Sequence, residues 1–172
     1  MRIHIIGSTH QTASPDTLRG ILDILTADRA DEVTIDSRFF GYLIQHDMAP
    51  SGVRTYPLSG TIDTDLMICI GGDGTFLRGA KLVAGTEAGI IGLNSGHLGF
   101  LSSMQPDVLS SYWEEIRSGR AQVDKRATLE AVVTDPDGKA IHQGIALNEV
   151  SVIRRDILSM IRVTTKVCGQ WM

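Results

Sequence analysis

Hydrophobic and polar positions change rhythm along this chain, and the change divides it. Residues 3 to 6, "IHII", form a short apolar run ending at Gly7, the pattern of a strand buried on both faces. In "SPDTLRGILDILTA" the apolar residues Leu18, Ile21, Leu22 and Leu25 recur at helical spacing. Ser14 stands where an N-cap belongs, Pro15 at the first helical position and Asp16 near the positive helix end. "DEVTIDSRFFGYLIQH" admits a short strand followed by a helix. "DLMICI" (65–70) and "GIIGL" (89–93) are again continuous apolar runs, and "TFLRGAKLVA" between them suits a helix. Strands apolar on both faces, in the order strand, helix, strand, predict a parallel sheet with right-handed crossovers, a doubly wound α/β domain. "QPDVLSSYWEEIRSG" adds an amphipathic helix with Leu109, Tyr112, Trp113 and Ile116 on one side.

Past Gly119 the period becomes two. "ATLEAVVTDPDGKAIHQG" alternates through Leu129, Ala131 and Val133 and then reaches a Pro-Asp-Gly turn, which predicts an antiparallel hairpin. "MIRVTTKV" alternates too, with Ile161, Val163, Thr165 and Val167 opposite Arg162, Thr164 and Lys166. The expected organisation is an α/β domain over residues 1–121 and the beginning of an all-β, sandwich-like domain over 122–172. About 50 residues is near the size at which a lone core becomes marginal.

Composition narrows the class. Of the 172 residues, 42% are hydrophobic and 21% charged, a soluble globular balance without low-complexity tracts. No apolar run approaches a bilayer span and the amino terminus turns polar too early for a signal peptide, so a cytoplasmic location and no membrane partner are expected. Cys69 and Cys168 read as reduced thiols filling cores. The net charge of −4 arises wholly before residue 71, where nine acidic side chains face five basic ones. No basic field large enough for nucleic acid exists. Four cations between Arg154 and Lys166 read as a solvated strand face. The five histidines show no metal-ligand spacing, so no protein metal site is expected, and His97 reads as a loop residue facing solvent.

The stretch with chemistry is "CIGGDGTFLRGAK", 69–81: a buried strand, three glycines in four positions, and Asp73 among them. Glycine turns between strand and helix usually cradle phosphate, which a carboxylate should repel. The dinucleotide fingerprint fails because Leu77 occupies the third glycine position. The P-loop pattern fails because Ala80, Lys81 and Leu82 displace the lysine and remove the hydroxyl. A carboxylate beside bound phosphate can instead accept the proton of an attacking alcohol. The plainer role for Asp73 is a turn residue bonded to its own backbone.

"GGDGTFLRGAK", "GLNSGHLGFLSS" (92–103) and "ALNEVSVIRR" (146–155) together resemble the NAD kinase family, in order, spacing and flanking residues. The short form GGDGT is shared with diacylglycerol, sphingosine and sugar kinases; the three stretches together are specific. The resemblance implies transfer of the terminal phosphate of ATP, or of polyphosphate, to the 2′-hydroxyl of the adenosine ribose of NAD. It implies Asp73 as proton acceptor, Gly74 against the dinucleotide, Arg78 reaching NAD phosphate, Phe100 beside adenine, and Asn148 with Glu149 hydrogen-bonding NAD. Magnesium is expected to arrive with the nucleotide.

Each assignment has a plainer alternative. Arg78 reads equally as a solvated cation, Phe100 as core packing, and Asn148 with Glu149 as the end of a hairpin strand. A non-catalytic nucleotide-binding module, or a lipid or sugar kinase sharing only the short motif, would also carry this turn. Family chains continue past the Asn-Glu segment into further strands through which homo-oligomers assemble. On that ground this 172-residue chain by itself is expected to be inactive.

Overall fold

Five parallel strands organise the amino-terminal unit of the computed structural model, which describes residues 1–56, 62–95, 99–102, 104–156 and 158–172. They are β1 (Arg2–Gly7), β2 (Glu32–Asp36), β3 (Arg54–Tyr56), β4 (Leu66–Ile70) and β5 (Gly89–Leu93), in the order β3-β2-β1-β4-β5. Register is set by apolar pairs: Ile5 of β1 lies beside Ile35 of β2 and Ile68 of β4. Side chains alternate between the faces. Ile3, Ile5, Ile68 and Ile70 enter one apolar cluster, and Ile6, Met67 and Cys69 the other.

Helices cover both faces, which is why the interior strands β1 and β4 are buried along nearly their whole length. α1 (Pro15–Thr26) begins at Ser14, whose Oγ accepts from the Thr17 N–H at 3.2 Å, and buries Leu18, Ile21, Leu22 and Leu25. α2 (Ser37–Gln45) is capped by Asp36, which accepts from the Phe39 N–H at 3.0 Å, and buries Phe39 and Leu43 in the same cluster. α3 (Asp73–Val83) packs on the opposite cluster through Val83, with Phe76 and Leu82 alongside. A 3₁₀ turn over Pro106–Val108 leads into α4 (Leu109–Arg117), which buries Leu109 and rests Trp113 and Ile116 on the first cluster; Tyr112 is exposed. Burying each Leu or Ile side chain contributes about 1.5–3 kcal/mol, so the α1 stripe alone fixes that helix to the sheet.

The unit Met1–Thr128 is compact, and Leu129–Met172 is a second unit. In the second, β6 (Leu129–Thr134) pairs antiparallel with β7 (Ala140–Ala146), and β8 (Lys166–Val167) with β9 (Gln170–Trp171). The hairpin forms as its alternation predicts. The strand expected over "MIRVTTKV" forms only at Lys166–Val167, because alternation proposes a face without supplying anything to cover it. No described residue of this unit is buried, and Cys168 is exposed rather than core filler. No helix among the described residues is long and apolar enough to cross a membrane.

Candidate active site

Strand order reverses between β1 and β4: the chain steps outward from β1 to β2 and β3, then returns to β1's other edge. Crevices for ligands open at the carboxyl ends of strands where order reverses. β1 ends at Gly7 and β4 at Ile70, so the glycine turn stands at that place. The two strand ends are joined by the Ser8 N–H, which donates to the Ile70 carbonyl at 3.0 Å. Gln11 adds a bridge: its side-chain Nε2 donates to the carbonyls of Ser8 (2.9 Å) and Ile70 (3.1 Å), while its buried Oε1 has no partner among the described residues.

Gly71 has φ +152°, and a Cβ there would lie 2.6 Å from Thr75 Oγ1 and 3.2 Å from Ser8 Cβ, so only glycine lets β4 turn here. Gly72 is the N-cap of α3, its carbonyl accepting from Thr75 N–H at 2.9 Å and Phe76 N–H at 3.2 Å. Asp73 is therefore the first residue of the helix rather than a member of the turn. A carboxylate is favoured there by the helix's positive end.

The Asp73 side chain reaches across to the segment after β5. Its Oδ2 accepts the Phe100 N–H, and its Oδ1 accepts those of Leu101 and Ser102, all at 3.0 Å. These bonds, Ser102 and Leu101 foremost, hold the carboxyl below the ordinary aspartate value. Ser102, fully buried, donates from Oγ to the Gly71 carbonyl at 2.8 Å and closes the loop onto the turn.

The other expected residues divide. Gly74 is exposed, and an added Cβ would meet nothing within 4 Å. Arg78 is more than a solvated cation: its Nη2 donates to the Gly7 carbonyl at 3.3 Å, tying α3 to the end of β1. Phe100 is 97% exposed, which removes core packing as its explanation. Asn148 and Glu149 are exposed residues just after β7 in the second unit, where Glu149 accepts from Ser151 Oγ at 3.1 Å. His97 lies outside the described residues. Sequence reasoning passed over Ser102, Gln11 and the three amides that hold Asp73. Ser102 and Gln11 are common residue types without motif spacing, and main-chain amides have no sequence signature.

Two shallow hollows, about 440 Å³ beside Arg2 and Asp65 and about 550 Å³ beside His10 and Arg38, do not include Asp73. Among the described residues no group of three or more His, Cys, Asp or Glu side chains is gathered to hold a metal ion.

These features define a doubly wound α/β domain with an acidic glycine turn at its switch point. Residues 56–121 match the ATP-NAD kinase N-terminal domain. The chain is 28% identical over 175 residues to the NAD kinase of Flavobacterium johnsoniae, covering 100% of this chain and 59% of that protein. It is 30% identical over 171 residues to the NAD kinase of Bacteroides fragilis (98% of this chain, 57% of that one), and 39% identical over 111 residues to that of Corynebacterium diphtheriae (58% and 35%). The likeness to NAD kinases therefore runs the length of the chain, which spans somewhat under two thirds of the Flavobacterium and Bacteroides proteins and about a third of the Corynebacterium one. Its fold is shared with the solved yeast NADH kinase complexed with NADH, at a TM-score of 0.71 and 21% identity over 86% of this chain and 44% of that one.

Proposed function

We propose that this chain serves the phosphorylation of NAD to NADP, with ATP or polyphosphate as donor and Asp73 as the proton acceptor. The ribose 2′-oxygen attacks the donor's terminal phosphorus, the bond from that phosphorus to the leaving phosphate oxygen breaks, and the hydroxyl proton passes to a carboxylate oxygen of Asp73. The observation that carries this reading is the position of Asp73, the first residue of α3, just past the carboxyl end of β4 where strand order reverses.

In the same reading, Gly74 leaves an open surface against which a dinucleotide can lie without a side chain in the way. Arg78 keeps one nitrogen on the Gly7 carbonyl and has further guanidinium N–H groups for phosphate. Exposed Phe100 offers a ring face to adenine. Asn148 and Glu149 offer an amide and a carboxylate, a pair suited to vicinal ribose hydroxyls. A magnesium ion, bound through donor phosphates and water, would neutralise charge on the transferring group. Cytoplasmic location and assembly of homo-oligomers belong to the same proposal.

The engagement of both Asp73 oxygens by main-chain donors favours a second reading, a module that holds nucleotide without turnover. Calorimetry with NAD and ATP beside a coupled assay of NADP formation separates the two. For a kinase, Asp73→Asn lowers kcat by at least about 10²-fold with little change in NAD affinity, because base function goes while shape stays. Binding of NAD with no NADP formed, at high protein concentration, by a form extended to the length of the relatives would establish the module instead.

A further inference from the structure

The carboxylate of Asp73 is itself an anion, held in a site built for one. Three consecutive main-chain N–H groups, those of Phe100, Leu101 and Ser102, converge on it. Successive amides aimed at one point form an anion-binding concavity, and hydrogen bonds to an ionised acceptor are the stronger class. The fit is close on both sides. A Cβ at Gly99 would overlap Asp73 Oδ1, and Ser102 Oγ pins the donor segment to the Gly71 carbonyl.

We propose that the Phe100–Ser102 amides form a site for phosphate oxygens of an oligophosphate, that Asp73 competes for it as an internal anion, and that phosphate displaces the carboxylate toward the acceptor alcohol. The exchange keeps all three donors satisfied, phosphate oxygens replacing carboxylate oxygens. It also resolves a chemical conflict in the site. A carboxylate accepting three N–H bonds is a poor proton acceptor, because bonds to its charged form lower its affinity for a proton. Freed from them and set beside an anionic phosphoryl group, the same carboxylate gains basicity. Room to receive it exists beside Gly72 and Gly74, where an added Cβ would meet nothing within 4 Å.

The choice of an oligophosphate rests on the phosphotransfer reading; the displaceable contact itself is read by binding, so the two can fail separately. The test uses inorganic tripolyphosphate and the full chain. In the wild type, the amide resonances of Phe100, Leu101 and Ser102 shift on addition of tripolyphosphate. Asp73→Asn removes the internal anion while keeping its size, and Gly99→Ala sets a methyl group on the position that carboxylate and phosphate oxygens share. Asp73→Asn binds tripolyphosphate about five- to tenfold more tightly by calorimetry, the gain expected when the internal competitor fills the site about 80–90% of the time, and adding Gly99→Ala abolishes that gain. Wild-type amides that stay unmoved as tripolyphosphate is added overturn the proposal. So does a gain that survives the addition of Gly99→Ala, which would be a simple charge effect, and so does equal or weaker binding by Asp73→Asn. NADP formation by any of these proteins does not enter the result.

Discussion

The hydroxyl of buried Ser102 donates to the carbonyl of buried Gly71 at 2.8 Å, joining the segment after β5 to the turn after β4. The bond holds the three amides of 100–102 against Asp73, so it belongs to the site although it touches no reacting group. Ser102→Ala removes the donor and leaves a buried acceptor without it. The expected loss is about 1–3 kcal/mol, seen as a lower urea midpoint by circular dichroism. Hydrogen exchange at Leu101 and Ser102 should quicken in step. An unchanged midpoint would mean that water or another donor replaces the hydroxyl freely.

Close packing of α3 on the sheet is a second measurable contact. A Cβ at Gly79 would overlap Cys69 Sγ and come within 3.3 Å of Met67 Cγ. Burial lifts the Cys69 thiol to about 12, so this sulfur is a small apolar filler at neutral pH. Gly79→Ala should destabilise by about 1–3 kcal/mol despite alanine's helix propensity, since the backbone has nowhere to move. Gly20 in α1 is the contrast: nothing lies within 4 Å, and Gly20→Ala should stabilise by about 0.5–1 kcal/mol. Adding Cys69→Ala to Gly79→Ala should recover stability, giving a favourable coupling of about 0.5–3 kcal/mol in the double-mutant cycle. Strict additivity would place the clash elsewhere.

What the sequence made legible follows from how each feature is encoded. α1 has its cap, its proline and its stripe within fourteen consecutive residues, and it forms where they place it. β1, β4 and β5 are continuous apolar runs; β1 and β4 are interior strands of the parallel sheet, and β5 is its edge beside β4. β3 is three exposed residues, Arg54–Tyr56, with no pattern to read, and it exists because β2 offers an edge. Asp73 was legible as a residue type in an odd place, but where its oxygens point was not, because its partners are backbone amides from a later segment. The likeness to NAD kinases came through three short stretches of sequence, while the use of Ser102 and Gly99 needed coordinates.

The hydrogen bonds to Asp73 predict its titration. Its carboxyl is depressed in the folded chain, so its contribution to stability is complete above the ordinary aspartate value and is lost as pH falls through the lower, folded value. Carboxyl-carbon NMR should place the Asp73 midpoint below the ordinary aspartate value, and the Phe100, Leu101 and Ser102 amide shifts should follow the same curve. A midpoint at or above the ordinary value would show that the three amides do not engage the carboxylate in solution.

His4 gives the opposite side of the same linkage. It is fully buried in β1, its Nδ1 shares a hydrogen bond with Thr34 Oγ1 at 2.7 Å, and its Nε2 has no partner among the described residues. The edge of its ring meets Tyr56 at 5.9 Å between centroids, and Asp36 is the nearby carboxylate. Burial lowers the His4 pKa from 6.5, with Asp36 partly offsetting the change. A group that binds its proton less readily when folded leaves the unfolded chain holding more protons, so stability rises with pH across the interval between the two values. The loss therefore begins as pH drops below 6.5 and continues toward the lower folded value. Urea midpoints measured from about pH 7.5 down to about pH 5 should fall across this interval, where no other common side chain titrates at its ordinary value. His4→Asn lowers stability at every pH by disturbing the Thr34 contact and removing ring packing, yet it should flatten this slope. A slope of equal steepness in His4→Asn would assign the pH dependence to another group.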